Sequence, residues 1–408
     1  MKLTGRSGRI RAACVAGALA LAGTPAALAA TPTAHPADSI ASVASISPTP
    51  PMGWDSWYVY KCKISDKLIE HNAAAMVRTG MAPAGYRYVD IDDCWEKKTR
   101  TRGGGLVANP RKFPAGIAPV ASYVHRKGLR LGIYLDAGTK TCTGYPGSMG
   151  HVGADVATIA AWKVDSLKLD YCQARPAPAQ PIYTSYQEAI AGTGRRIMLN
   201  ICDWGYEQPW LWGPGVGSTW RTSGDYYAYG APSDWWGAIL TVLDLNEGLA
   251  PYSRPGAFND PNGLLIGSGA LTVGEQRAQM SLWSVMAAPL IASGDLGHQP
   301  AATLEILTNR DVIAVDQDPA AIQGWRVVDT PAEQVWTRPL ADGSRVVLFV
   351  NPTSQRQRYI FDLATLGIAG PRYTVRDLWL ERTYHTPGPL DVGVGPHDVR
   401  MLRLTAPA

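Results

Sequence analysis

Eight times between residues 51 and 323, a short apolar run ends in polar or acidic residues. The runs fall at about 52–54, 86–91, 129–135, 164–170, 197–201, 218–221, 256–258 and 289–292. They end in Asp55, Asp92-Asp93, Asp136, Asp170, Cys202-Asp203, Ser223-Gly224-Asp225, Asn259-Asp260 and Ser293-Gly294-Asp295. Helix-like segments lie between them, as at about 65–79, 117–127, 152–162, 185–192 and 273–287. Strands alternating with helices pair in parallel. Eight such units predict a (β/α)8 TIM barrel, whose functional groups collect at the C-terminal ends of the strands. A doubly wound open sheet is the competing arrangement. It would carry a glycine-rich phosphate loop after an early strand, and no such loop occurs in that context.

The pattern changes after Asp316-Gln317-Asp318-Pro319. From Trp325 to Thr405 the apolar runs are strand-length, several alternate with period two, and turns such as Ala341-Asp342-Gly343-Ser344 separate them. This predicts a C-terminal antiparallel β-sandwich. The expected division is therefore a barrel over 49–323 and a sandwich over 324–408, the second packed against the first.

Residues 1–29 read as a secretory signal peptide. Lys2, Arg6, Arg9 and Arg11 precede an apolar run, and Ala27-Leu28-Ala29 supplies an A-x-A cleavage pattern. The run is shorter than the roughly 20 residues that span a bilayer. A Pro/Ala/Ser/Thr-rich lead-in follows over 30–48. The implied mature chain is secreted, free of the membrane, and carries no net formal charge once the four basic signal residues leave. Nucleic acid is not an expected partner, since it needs a basic face. Cys62, Cys94, Cys142, Cys172 and Cys202 remain after cleavage, an odd number in a compartment that permits disulfides. Neither their spacing nor the scattered histidines matches a zinc pattern, so no metal and no cofactor is expected. Against 4 Phe stand 14 Trp and 18 Tyr. Such polar-tipped rings suit carbohydrate faces, and they equally suit ordinary core packing.

The fourth run, Ser166-Leu167-Lys168-Leu169-Asp170, is the most informative. Side chains alternate along a strand, so Ser166, Lys168 and Asp170 share one face. A buried carboxylate beside a buried ammonium is costly to maintain. A structural ion pair is the plain reading, and a polar pocket centred on Asp170 is the other. Two carboxylates flanking a bond are the equipment of glycoside hydrolysis. Lys168 would favour ionised Asp170, as a nucleophile requires. Asp225, on another strand end, is the candidate proton donor, although nearby Arg221 favours its ionised form. Asp92 and Asp93 offer a dense set of acceptors for sugar hydroxyls. A calcium ion would need further oxygen ligands that Cys94 and Trp95 do not supply.

Several stretches resemble glycoside hydrolase family 27, the α-galactosidase and α-N-acetylgalactosaminidase family. They include Pro51-Met52-Gly53-Trp54-Asp55-Ser56-Trp57, Asp92-Asp93-Cys94-Trp95, Phe113-Pro114-Ala115-Gly116-Ile117 and Lys168-Leu169-Asp170-Tyr171-Cys172. Trp220-Arg221 through Asp225, Asn259-Asp260-Pro261, Ala287-Ala288-Pro289-Leu290 and Val375-Arg376-Asp377-Leu378-Trp379 continue the likeness in order. The resemblance implies a retaining exo-glycosidase acting on terminal α-D-galactose in a carbohydrate substrate. It puts Asp170 at the nucleophile and Asp225 at the acid/base. Asp92 and Asp93 fall where the galactose 4- and 6-hydroxyls are held, and Trp57, Tyr134, Lys168 and Arg221 fall on other sugar contacts. It also implies disulfides Cys62–Cys94 and Cys142–Cys172, with Cys202 left as a buried, unreactive thiol.

Three departures bear on the sugar. Asp203 stands where the family usually has Glu, which reads the 2-hydroxyl. Asn262-Gly263 replace an Asp-Met pair beside the sugar, and Asp55 replaces a common Asn. An acidic Asp203 disfavours an acetamido substrate. Neutral Asn262 keeps β-L-arabinopyranosidase and α-1,6-glucan-acting specificities in view, and an inert carbohydrate-binding protein is the non-enzymatic reading.

Overall fold

The computed structural model describes residues 46–368, 373–386 and 388–406. The expected signal peptide and most of the expected lead-in lie outside the described residues.

Strands β1 (Met52–Asp55), β2 (Tyr88–Ile91), β3 (Arg130–Asp136), β4 (Ser166–Asp170), β5 (Met198–Cys202), β6 (Thr219–Arg221), β7 (Phe258–Asp260) and β8 (Leu290–Ala292) form one sheet. Neighbours pair in parallel, in chain order from β1 to β7, with β8 against β1. Just past β7, the Leu264 N–H reaches the Ile291 carbonyl at 2.8 Å and bridges the seam to β8. The fold is the expected (β/α)8 barrel.

Helices α1 (Asp66–Arg78), α2 (Ile117–Arg126), α3 (Val152–Ala161), α4 (Ala179–Gly192), α5 (Trp235–Glu247) and α6 (Val273–Val285) occupy the crossovers. Their starts follow local chemistry. Ser65 accepts from the Leu68 N–H at the head of α1, and Thr272 with Glu275 makes a reciprocal capping box at the head of α6. The strands bury Leu131, Ile133, Leu167, Leu169, Leu199 and Ile201 in the main core. Period two then turns Ser166, Lys168 and Asp170 to the barrel interior. Gly132 is paired between Asp90 and Ser166, and a Cβ there would lie 1.6 Å from Asp90 Oδ1. Its missing side chain makes room for a carboxyl inside the barrel.

The C-terminal unit is a sandwich. Strands β9 (Trp325–Asp329), β10 (Gln334–Pro339), β11 (Arg345–Val350), β13 (Tyr373–Asp377), β14 (Arg382–Thr386) and β16 (Val399–Thr405) build a six-stranded sheet. β12 (Gln357–Phe361) pairs with β15 (Leu390–Val394) in a second, two-stranded sheet. Alternation along β11 divides its side chains between two cores. Val347 and Phe349 pack towards the small sheet, with Tyr359, Phe361 and Val392. Val346, Leu348 and Val350 join the barrel's core, with Trp336, Met401 and the side chains of α6. The Arg277 guanidinium clasps the Asp398 carboxylate with two bonds, at 2.8 and 2.7 Å, across this junction.

Both expected disulfides are present, Cys62–Cys94 and Cys142–Cys172, and Cys202 is free and buried.

Candidate active site

The polar strand ends converge on the C-terminal mouth of the barrel. A cavity there is lined by Trp57, Lys168, Arg221, Asp225 and Asn262, and deeper by Asp55, Asp90, Ser166, Asn200, Asp260 and Ser293. Five of the ten candidate catalytic and sugar-binding residues therefore share its walls. Asp92 and Asp170 join it through Lys168, whose ammonium lies 2.6 Å from Asp92 Oδ2 and 3.8 Å from Asp170 Oδ1. Asp93 follows Asp92, and the Lys168 ammonium stands 5.3 Å over the Tyr134 ring.

Asp170 is buried at the end of β4. Its Oδ1 has no hydrogen-bond partner, and its Oδ2 touches the Cys142 sulfur at 3.4 Å. That sulfur is in a disulfide and carries no proton, so the contact is packing. Burial pushes the Asp170 carboxyl up to about 6; Lys168 and a hydrogen bond from the Cys202 thiol oppose this, while Asp92 and Asp225 add to it. The expected direction holds, since the Lys168 charge favours the ionised form; the ammonium bonds more closely to Asp92, however, and loss of water outweighs it at Asp170. Cys202 is Asp170's register partner on β5, which puts both side chains on one face.

Asp225 follows β6 and is 40% exposed at its side chain, in contrast to Asp170. Arg221 Nη2 lies 3.2 Å from Asp225 Oδ1 and also donates to the Ser223 and Gly224 carbonyls at 3.3 and 3.2 Å. One guanidinium thus shapes the whole turn that presents Asp225.

The Asp92-Asp93 pair is anchored by protein donors. Asp92 Oδ1 accepts from the Asp93 N–H at 2.7 Å, and Asp93 Oδ1 from the Cys94 N–H at 2.6 Å. Asp93 Oδ2 takes the Thr143 hydroxyl at 2.8 Å, and burial raises this carboxyl. The Lys168 ammonium takes the second oxygen of Asp92. Tyr134 is buried and donates to Asp136 Oδ2 at 3.2 Å. Burial, then Asp170, pushes Asp136 up to about 8.

Two of the three departures find their structural reason here. Asn262 donates from Nδ2 to the Gly224 carbonyl at 3.1 Å, while Oδ1 accepts from Tyr58 at 2.8 Å. A carboxylate could not donate to Gly224, so the amide is what ties the β7 loop to the β6 turn. Asp203 is the site residue that stands apart. It is fully buried, does not line the cavity, and accepts from the Gly205 and Glu207 N–H groups at 3.0 and 3.1 Å. Its carboxyl organises its own loop. Burial sets it at about 6 against the pull of those donors.

Sequence reasoning passed over Asp90, Asn200 and Tyr58 and named Asp260 only as a strand end; all four line the cavity. The rule used for Ser166, Lys168 and Asp170 would have found two of them. Asp90 precedes Asp92 by two residues on β2, and Asn200 precedes Cys202 by two on β5. Burial pushes Asp90 up to about 7, with Asp92 adding to it.

A profile of the family described as Alpha galactosidase A matches residues 49–318, and one described as Alpha galactosidase C-terminal beta sandwich domain matches 331–404. An alpha-galactosidase of Oryza sativa subsp. japonica is 39% identical over 359 residues, covering 88% of this chain and 85% of its own. Alpha-galactosidase A of Cellvibrio japonicus is 38% identical, with 88% and 93% covered. The crystal structure of alpha-galactosidase I from Mortierella vinacea superposes with a TM-score of 0.84 at 30% identity, over 89% of this chain and 98% of that one. With its barrel, its sandwich and its mouth of carboxyl groups, the chain belongs to the α-galactosidase family of glycoside hydrolases.

Proposed function

We propose that this glycoside hydrolase releases terminal α-D-galactose by two successive displacements at Asp170 and Asp225. The observation that carries the reading is the unpartnered Oδ1 of buried Asp170, facing Lys168, beside a turn that presents a more exposed Asp225. In the first step Asp170 attacks the anomeric carbon as the glycosidic C–O bond breaks. Asp225 gives its proton to the departing oxygen, and a covalent glycosyl–enzyme forms. In the second step water attacks that carbon, Asp225 takes its proton, and the Asp170 ester bond breaks. Asp170 exchanges no proton in either step, so it needs no access to water, and Lys168 offsets part of the rise that burial causes. Asp225 must exchange a proton with water, so exposure suits it.

Asp92, Asp93, Lys168, Tyr134, Trp57 and Arg221 act as sugar-binding groups in this reading, with Asn262 shaping the wall by holding two loops together. Asp203 influences the sugar through the backbone of 204–207. Secretion after cleavage behind Ala29, a barrel over 49–323 and a sandwich over 324–408 complete the proposal, and two disulfides accord with export.

The decisive assay compares p-nitrophenyl α-D-galactopyranoside with p-nitrophenyl β-L-arabinopyranoside. Release mainly from the galactoside is expected, and it should vanish in Asp170→Asn while galactose binding persists. Preference for the arabinoside would overturn the assigned sugar, and undiminished turnover in Asp170→Asn would overturn the assigned nucleophile.

A further inference from the structure

Because β8 pairs with β1, the helix that follows β1 lies beside the loop that follows β8. This brings together His71 of α1 with Asp295 and His298 of that loop, more than two hundred positions away in the chain. We propose that these three side chains form a binding site for one divalent transition-metal ion of the zinc type.

The geometry is close to what such an ion requires. His71 Nε2 lies 3.4 Å from Asp295 Oδ1, and His298 Nδ1 lies 3.0 Å from Asp295 Oδ2. One ligand atom from each residue lies within 4.8 Å of the other two. Metal bonds of about 2.0–2.1 Å in a tetrahedron place neighbouring ligand atoms roughly 3.3–3.5 Å apart. The two contacts use different oxygens of Asp295, so one edge, His71 Nε2 to Oδ1, already fits, and the remaining ligand atoms stand within 4.8 Å. A turn of the His298 ring, 75% exposed at its side chain, would bring its nitrogen onto the shared ion.

The frame around the cluster is fixed. Asn72, next to His71, accepts the Leu296 N–H at 2.9 Å and locks helix to loop. The Gly297 N–H donates to Asp295 Oδ1 at 3.1 Å. A Cβ at Gly297 would stand 2.1 Å from His71 Nε2, so the imidazole in this position is seated directly against the loop backbone. The two imidazoles stack at 5.5 Å between centroids and 16° between planes. Two imidazoles and one carboxylate suit zinc, nickel, copper or cobalt rather than magnesium or calcium. Three protein ligands leave a fourth position for water, the open type of site. The simpler use of the same contacts is a pair of ion bridges from protonated imidazoles to Asp295. The two uses respond oppositely to pH, since a metal needs the imidazoles neutral.

The test is calorimetric titration of chelator-treated protein with zinc chloride at pH 7.5 and 5.5, on the native chain, His298→Ala and His71→Gln. The proposal expects one equivalent at pH 7.5, weakened roughly tenfold or more in each variant and at the lower pH. It also expects zinc to raise Tm by roughly 3 °C at a hundredfold excess over Kd in the native chain and not in His298→Ala. His298→Ala replaces an exposed side chain outside the cavity, so unchanged galactosidase activity certifies its fold. No binding by the native chain, or equal binding by the native chain and a folded His298→Ala, would overturn the proposal.

Discussion

Lys168 shows how one side chain can serve two carboxylates unequally. Its bond to Asp92 is the shorter, yet its charge still lowers Asp170 against a larger effect of burial. A nucleophile must be ionised, so kcat/KM should fall as pH drops through about 6, the position of Asp170. Removing a group that lowers this carboxyl moves that limb upward. Lys168→Met should therefore shift the acid limb of the kcat/KM profile to higher pH, besides weakening sugar binding. Cys202→Ala should shift the limb in the same direction by less, because it removes the thiol's hydrogen bond. Cys202→Ser, which keeps a donor, should restore the native profile; an unmoved limb in Cys202→Ala would reduce Cys202 to packing. Cys202 was legible in sequence only as an unpaired thiol. Its place beside Asp170 depends on strand register, which no local pattern announces.

The loops, more than the strands, decide what sequence reveals at the scale of elements. The eight strands and their polar ends were legible because period two and buried runs are local signals. The same holds for the shared face of Ser166, Lys168 and Asp170. The local bonds of Asp203 were not legible: its sequence position implied a sugar contact, and two backbone N–H groups of its own loop also bond its oxygens. Nor were the histidines of the β8 flank, which meet only after the barrel closes. Asn262 gives a direct test of loop coupling. Asn262→Asp sets an oxygen against the Gly224 carbonyl in place of a donor. The lost bond and the new repulsion should cost about 1–3 kcal/mol of stability in urea titration. The turn that carries Asp225 should loosen with it, so kcat should fall alongside stability. A fall in stability with unchanged kcat would uncouple Asn262 from that turn.

Taken whole, the molecule holds protons that its unfolded chain would release. Burial lifts Asp170 and Asp203 to about 6, Asp90 to about 7, and Asp136 and Glu96 to about 8. Unfolded carboxyls titrate near 4. Between those limits the folded state binds more protons than the unfolded state, so stability declines as pH rises from about 4 towards 8. Thermal unfolding followed by calorimetry should give a higher Tm at pH 5 than at pH 8. The reverse order would mean that these carboxyls are ionised in the folded protein. Of these five carboxyls only Asp90 lines the cavity, and Asp136 and Asp203 are satisfied by protein donors.

The six-stranded sheet, covered on one face by β12 and β15 and on the other by the barrel, has a temporal consequence. Synthesis delivers α6 well before the strands that cover it. A ribosome that has completed the eighth barrel strand has made a helix whose apolar coat is still unwritten. The barrel at that moment is an unfinished object, and the last eighty or so residues act as its closing garment rather than as a second module. Chains halted before residue 324 should therefore be cut rapidly by protease near α6, and full-length chains should not.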